Sequence, residues 1–311
     1  MPTMTIAEFK KRTRDQLIAG IVGDVYTTNP VYEFIPWTSY RGSGISVNRE
    51  DTIGDAQFLA VGGTITAKAA SGVTQILFES TKVIGDAEID SKLIVESGSD
   101  INDVVATELS SKAKAVGRLI QQGIATGDGA SPNMNSLHSM VDSGQYVTQT
   151  AGGVVLGYDA LDEVLDKVKS KDGTVEWMMM HGREIRAFRA LERTSGGLRP
   201  MDIQMGGKTI QIQQYNGIPI FQNDWLSITE TDDGAALTGG ALSSVYCGVW
   251  DEGDKKTGLS MIYPEASELG FSVTNIGQAE TRDETIYRVR ALCNLALFNR
   301  RGVARLTGVK V

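Results

Sequence analysis

The sequence predicts an α+β protein in which one long amphipathic helix separates a β-rich hairpin region from a mixed α/β region, with a run of strands closing the chain. Three observations carry this. Apolar residues recur at helical spacing from Ser99 to Thr126; alternating or β-branched segments fill residues 45–85 and 208–297; Gly, Asp, Asn and Pro mark the boundaries between them. A chain of 311 residues, 41% of them hydrophobic, can bury a sizeable core as two intimately joined domains or one large one.

Composition narrows the function classes. With 30 basic and 38 acidic residues the formal net charge is -8, which argues against a surface wrapped around nucleic acid while leaving room for a local basic face. The 35 glycines follow no collagen-like period and read as turns and loop tips. Cys247 and Cys293 stand far apart and outside any C-x-x-C spacing, so neither a disulfide framework nor a zinc site is expected; they read as small core residues of a reducing compartment. No apolar run reaches the roughly 20 residues of a membrane span, and the opening MPTMTIAEFKKRTRDQ lacks the apolar stretch of a signal peptide. The expected product is soluble and cytoplasmic at synthesis.

Taken in order, Thr5 to Ile21 places Ile6, Phe9, Leu17 and Ile21 near one side of a helix and Lys10, Lys11, Arg12 and Arg14 mostly on the other. That basic cluster reads either as a solvated helix face or as a contact for nucleic acid or an acidic neighbour. An aromatic connector, VYEFIPWTSYRGSG, leads to the strand ISVNRE. From Asp51 to about Gly85 the β-formers are diluted by Gly, Ala and Thr around Gly62-Gly63, giving a long hairpin with few large side chains to bury. Two strands alone are marginal in water, so such a hairpin leans on something outside its own domain: a lid in a monomeric enzyme, or an arm over a neighbouring subunit in an assembly.

The clearest helix follows. Ser99 and Asp100 suit its N-cap, Asp103 adds charge to its first turn, and Ile101, Val105, Leu109, Ala113, Val116, Ile120 and Ile124 form its apolar stripe up to Gly127. At the α-helical rise this is a rod of roughly 40 Å. Beyond the turn-rich TGDGASPNMNSLHSM come a helix from Tyr158 to Lys169 capped by Asp159, a short strand from Val175 to Met180, and a helix from Arg183 to Arg193. KTIQIQQY and IPIFQ pair across an Asn216-Gly217 turn. TETDDGAALTGGALSS is an exposed loop, and SVYCGVW, GLSMIY, LGFSVTN and the long TIYRVRALCNLALF read as strands, the last expected to return beside the long helix. NRRGVARLTGVKV reads as a basic tail with short apolar steps.

Catalytic constellations are missing from the pattern. His138 and His181 are the only histidines, which leaves no multi-histidine metal site, and both read as structural, in a turn and at a strand end. No G-x-S-x-G, H-E-x-x-H or G-x-x-x-x-G-K-[ST] occurs. ATGDGAS follows a helix instead of joining a strand to a helix N-terminus, so it lacks the geometry of a phosphate cradle. Asp232-Asp233-Gly234 lacks the remaining ligands of a calcium loop, and Met178, Met179 and Met180 fit a buried strand. The expectation is no catalytic residue, no metal and no cofactor.

The order of these segments resembles the major capsid proteins of tailed bacteriophages with the Hong Kong 97 fold. By that resemblance residues 1–40 correspond to an N-terminal arm, 41–88 to an extended β-hairpin loop, 89–151 and 251–311 to a peripheral domain with its spine helix at 99–126, and 152–250 to an axial α/β domain. IATGDGASPNMNSL is similar to the Gly-Asp-Gly segment that follows the spine helix, Asn216-Gly217-Ile218-Pro219-Ile220 with Asn223-Asp224 to the axial domain, and ALCNLALFNRRGVARLTG to the closing strand of the peripheral domain. The extended loop begins within about forty residues, which leaves no room for the long N-terminal scaffolding region of some members. Lys68 and Lys82 lie in the loop region and read as solubilising charges and not as crosslinking sites.

What the resemblance implies is a non-enzymatic major capsid protein that assembles into pentamers and hexamers, an icosahedral head around packaged double-stranded DNA. The virion is its implied location and the host cytoplasm its place of assembly. Contact with the DNA would be non-specific, through an arm bearing Lys10, Lys11, Arg12 and Arg14. Portal, scaffolding or decoration proteins are compatible partners, and a membrane is not. Arg41, Arg49, Glu50 and Lys68, in the loop and its base, are the candidate subunit contacts. Two other readings stay open: an encapsulin-type nanocompartment shell, and, more remotely, an α/β enzyme that uses the hairpin as a lid.

Overall fold

The computed structural model describes residues 34–96, 104–149, 152–195, 201–205, 208–230, 242–266 and 271–310. The basic cluster Lys10 to Arg14, the helix caps Ser99 and Asp100, and the loop Asp232-Asp233-Gly234 lie outside them.

Two sheets share one core. The first has five strands: β1 (Trp37–Tyr40), β4 (Thr81–Asp90), β12 (Leu259–Pro264), β13 (Phe271–Gln278) and β14 (Glu284–Leu297). Antiparallel β4 and β13 flank the first ten residues of β14, from Glu284↔Asp90 to Cys293↔Thr81 on the β4 edge, and β12 takes the last four, from Asn294↔Ile262 to Leu297↔Leu259. Register is marked by the opposed pair Asp86 and Arg288, whose guanidinium donates to both carboxylate oxygens at 2.8 and 2.7 Å.

The second sheet runs β5 (Tyr146–Thr148), β15 (Val303–Lys310), β11 (Leu242–Gly248), β6 (Trp177–Met180), β10 (Ile218–Gln222) and β9 (Gln214–Tyr215). Two separate hairpins, β2 (Ile45–Thr52) with β3 (Gly72–Phe78) and β7 (Met201–Met205) with β8 (Lys208–Ile212), complete the strands. The helices are α1 (Ser91–Glu96), α2 (Val104–Thr126), α3 (Leu137–Met140), α4 (Tyr158–Lys167) and α5 (Gly182–Ser195).

α2 is the expected long helix. It buries Val116, Ile120 and Ile124, four residues apart, against Val83 of β4 and Val289, Ala291 and Cys293 of β14. The late strand thus does return to the long helix. The helix stops because Gly127 sits against the chain that doubles back: a Cβ there would lie 2.2 Å from the Met134 carbonyl oxygen. Asp128 then closes the Gly-Asp-Gly turn by accepting from the Ala130 N–H and the Asn133 side-chain amide, both at 3.0 Å.

The run WMMM alternates between two buried faces. Trp177 and Met179 join the core shared with α2 and β14, whereas Met178 and Met180 meet Leu161 and Val164 of α4 and Ile185 and Phe188 of α5. A strand covered on both sides reads as an unbroken apolar run, as this one does. Four expectations need correction. Lys208–Ile212 pairs with β7, leaving only Gln214 and Tyr215 to pair with β10, and Leu242 to Ser244, read as the end of an exposed loop, are buried in β11. Asp159 does not cap α4; Gly157 holds the N-cap position without a side-chain bond and Asp159 lies in the first turn, where its charge favours the helix dipole. The basic tail is also no tail. Val303 to Val309 are buried as β15 between β11 and β5, inside the six-stranded sheet.

Arg305 disguised that strand. Its side chain is fully buried, lies 5.2 and 5.4 Å from the Tyr146 and Tyr246 ring centres, donates to Ser244 Oγ at 3.0 Å and pairs with Glu230 at 3.1 Å. A basic residue in such a cage behaves as a core residue.

Near it lies Glu184, fully buried in the first turn of α5, where Oε2 accepts from the His181 N–H at 2.9 Å while His181 Nδ1 accepts from the Arg183 N–H at 3.1 Å. His181 is thus a helix cap, the structural role read for it. Burial, aided by the like charge of Glu230, pushes the Glu184 carboxyl from an ordinary 4.5 up to about 8. Its folded pKa exceeds the unfolded one, so the folded state holds the extra proton between those values, and stability falls as pH rises through that window. Each unit of separation is worth about 1.4 kcal/mol. Glu184→Gln is therefore expected to flatten the decline in urea-unfolding stability between about pH 5 and about pH 8; an unchanged slope would contradict the assignment.

Candidate functional site

The β2–β3 hairpin is buried only at its root by the other described residues. At its root Ile45 and Phe78 are buried with Tyr40, Ile262, Ala296 and Phe298, and Val47 and Ile76 are partly covered. Past that point both faces open to solvent. Eight residues of β2 reach about 27 Å at the usual strand rise, and residues 53–71 continue beyond the last ladder pair, Thr52↔Gly72.

That outer segment carries no strand ladder. Side chains of one arm hold the backbone of the other instead: Gln57 donates to the Thr64 carbonyl and accepts from the Thr66 and Ala67 N–H groups, each at 3.0 Å, while Asp55 accepts from the Ala69 N–H. The turn closes with Gly63 N–H on the Ala60 carbonyl at 2.9 Å. The loop therefore has a defined shape although no core supports it.

Its surface is apolar. Ile53, Phe58, Leu59, Val61, Ile65, Val73 and Leu77 are all exposed, with Phe58 and Val61 as accessible as in an extended chain at 108% and 109%. Scattered single apolar residues on a surface are ordinary, but seven on one hairpin make the kind of exposed apolar set that marks an interaction site. At roughly 1.5–3 kcal/mol for each large side chain removed from water, the gross gain on covering them is on the order of 10–20 kcal/mol. Association costs offset a large part of that.

The hairpin's root is fastened by polar contacts. Arg49 donates to the carbonyls of Leu297 and, at 3.0 Å, Phe298, and its guanidinium lies 5.8 Å from the Phe78 ring centre. Arg300 reaches Asp51 at 3.7 Å and Asp142 at 3.1 Å. Asn294, buried where β14 exchanges β4 for β12, donates to the Glu79 carbonyl at 2.7 Å and accepts from the Asn135 N–H at 2.9 Å; Asn135 in turn donates to the Leu295 carbonyl at 3.0 Å. One side chain thus joins the hairpin root, the segment after the Gly-Asp-Gly turn and the long strand.

The four charges singled out from sequence fall into two groups. Arg41 pairs with Glu265 of its own chain, Nη2 to Oε1 at 2.9 Å, a pairing that raises the Arg41 pKa and lowers that of Glu265. Arg49 is spent on the root. Glu50 and Lys68 are exposed, with no ion-pair partner among the described residues. What sequence reasoning passed over is the apolar set, above all Phe58 and Val61. A signal was present: large apolar residues inside a Gly/Ala/Thr-rich segment with no periodic partners of their own.

Elsewhere the chemistry is quiet. Both cysteines are buried, and burial pushes their thiols up to about 12. Among the described residues no group of three or more His, Cys, Asp or Glu is placed to hold a metal ion, and no helix is long and apolar enough to cross a membrane. Arg49→Glu, which reverses the charge facing two strand-end carbonyls, is expected to cost about 2–3 kcal/mol in chemical denaturation and to speed proteolysis within residues 45–78. Wild-type stability in that variant would show that the anchor is dispensable.

No protein-family model and no curated protein matches the sequence. Solved structures do match along nearly the whole chain. The holo-SrpI encapsulin complex of Synechococcus elongatus superposes with a TM-score of 0.71 at 15% identity, covering 100% of this chain and 97% of that one. The capsid of cyanophage A-1(L) gives 0.70 at 10% identity, with 96% and 97% covered, and the capsid of a native GTA particle gives 0.65 at 12% identity, with 96% and 95% covered. At such identities the likeness speaks to architecture alone: the chain has the Hong Kong 97 fold, shared by phage-capsid and encapsulin structures.

Proposed function

We propose that this chain is a shell subunit, the major capsid protein of a tailed phage, which assembles into pentamers and hexamers around double-stranded DNA. The observation that carries the reading is the hairpin of residues 45–78, which displays seven exposed large apolar side chains on a defined scaffold that the other described residues leave uncovered. In a closed shell every copy covers a neighbour's projection and has its own covered, so many modest contacts sum to a stable particle. Exposed Ile84 and Leu119 flank a groove of about 530 Å³ between β4 and α2 whose lining mixes these apolar side chains with Lys82, Gln122 and Asp128.

Arg41, Arg49, Glu50 and Lys68 keep a place in this proposal with altered weight. Glu50 and Lys68 are available for pairing across a subunit boundary, whereas Arg41 and Arg49 act through the posture of the hairpin. The proposed shell has no catalytic task, and its subunit is located in the virion. Its domains would divide as an arm, the extended loop, a peripheral part on the five-stranded sheet and an axial part on the six-stranded one. β15 belongs with the axial part in this division.

A second reading, the encapsulin-type shell, is favoured by the whole-chain superposition on the SrpI encapsulin. The two differ in contents. Electron microscopy of the expressed protein is expected to show closed particles or five- and six-fold rings, and the Phe58→Asp, Val61→Asp pair to leave folded, unassembled subunits with a melting temperature within a few degrees of wild type. Particles that persist in the double variant, or a wild-type protein that stays monomeric, would refute the shell mechanism. Nuclease-protected double-stranded DNA in particles from phage-infected cells supports the capsid reading, and a protein cargo without DNA supports the encapsulin one.

A further inference from the structure

A cavity beside the six-stranded sheet has no part in the shell reading. Its volume is about 330 Å³, within the usual range of ligand pockets. Tyr158 of α4, Phe188 and Glu192 of α5, and Gln214 to Gly217 at the β9–β10 turn line it. Asn216 and Gly217 hold φ of 49° and 81°, the left-handed pair of a tight hairpin turn, which fixes that wall.

The rings are locked together. Tyr158 and Tyr215 stack with centres 5.8 Å apart and planes 9° apart, and Phe188 stands nearly perpendicular to both at 6.5 and 6.0 Å. The Tyr215 hydroxyl donates to Asp162 Oδ1 at 2.7 Å. Glu192 is 6% exposed, and its Oε2 is shut from water without a hydrogen-bond partner among the described residues. Burial raises its pKa, against the pull of Arg189 three residues earlier on α5. Asp159 and Asp162 of α4 add negative charge beside Tyr215. A carboxyl removed from water requires a counter-charge or a proton, and this one lies against an aromatic wall with the carboxamides of Gln214 and Asn216 nearby.

We infer that this cavity binds an organic cation, a guanidinium or primary ammonium on an aliphatic stem, with Glu192 as its counter-charge and Tyr158, Phe188 and Tyr215 as its platform. An anion meets the Glu192 carboxylate there, with Asp159 and Asp162 adding negative charge behind Tyr215, and a purely apolar ligand leaves Glu192 unanswered. A cation on a flexible methylene stem satisfies both: the head approaches the carboxylate and the stem lies along the rings. The same chemistry is supplied by a free amine or by an arginine or lysine of an adjoining copy.

Agmatine, which has both a guanidinium and an ammonium on a four-carbon stem, is the probe. Calorimetric titration into full-length subunits kept apart by the Phe58→Asp, Val61→Asp pair is expected to show binding, with affinity falling at least tenfold on adding Glu192→Gln or Tyr158→Leu. Either variant suffices if the other fails to fold, as judged by circular dichroism. Equal binding by assembled wild-type particles identifies a free amine as the occupant, and binding lost on assembly identifies a side chain of the neighbouring copy. No agmatine binding to the separated subunits, or binding unchanged in Glu192→Gln, overturns the site. Should the double variant remain assembled, the shell mechanism fails by itself, and the cavity is decided by the same titration on subunits separated by dilution.

Discussion

Apolar side chains on a projection that its own core does not reach are the constraint around which this molecule is arranged. Residues 53–71 expose Ile53, Phe58, Leu59, Val61 and Ile65 beyond the end of the β2–β3 ladder, where the described core does not reach. A surface of this kind is useful only if it is presented at a fixed angle. Gln57 and Asp55 hold the loop's shape, Arg49 and Asn294 hold its root, and β14 and α2 supply the stiff body to which the root is tied. Local hydrogen bonds, anchor and frame thus act in series, and loss of any one would let the contact surface drift.

Polar side chains do much of this fastening, one of them where a strand changes partners. Asn294 lies at the residue where β14 passes from β4 to β12, a point at which the edge groups of two other segments also need partners. In the six-stranded sheet Arg305 does its fastening in mid-strand, pinned between Tyr146 and Tyr246 and facing Glu230. Buried polar groups of this kind are costly to leave unpaired, so each favours one arrangement of its neighbours over alternatives. The two sheets remain joined because Trp177, Met179 and Tyr246 of one share a core with Ile120, Ile124 and Leu295 of the other layer.

Much of the fold was legible because its signals are local. The stripe Val116, Ile120, Ile124 announces α2, the Asn216-Gly217 pair announces the β9–β10 turn, and the diluted composition around Gly62-Gly63 announces a hairpin without a core of its own. What stayed hidden depends on distant partners. Nothing near Arg305 in sequence reveals the cage of Tyr146, Glu230 and Tyr246 that turns a basic tail into a buried strand. Nor does the local sequence show that α4 starts at Tyr158, which puts Gly157 and not Asp159 at the cap position. The candidate contacts drawn from the sequence were charges, conspicuous in a loop; in the structure Arg41 and Arg49 are engaged within the chain, while Phe58 and Val61 are fully exposed. The aromatic cavity was invisible for the same reason as Arg305, since Tyr158, Glu192 and Tyr215 come from three separate elements.

The account rests on the outer hairpin being covered by another copy and by nothing in its own chain. Hydrogen–deuterium exchange followed by mass spectrometry, on assembled and dissociated forms of the same protein, reads this directly. The account predicts that peptides spanning residues 53–71 exchange fast in the free subunit and are slowed at least tenfold on assembly, while the buried strands β6 and β11 change little. Equal exchange of residues 53–71 in the two forms would contradict it.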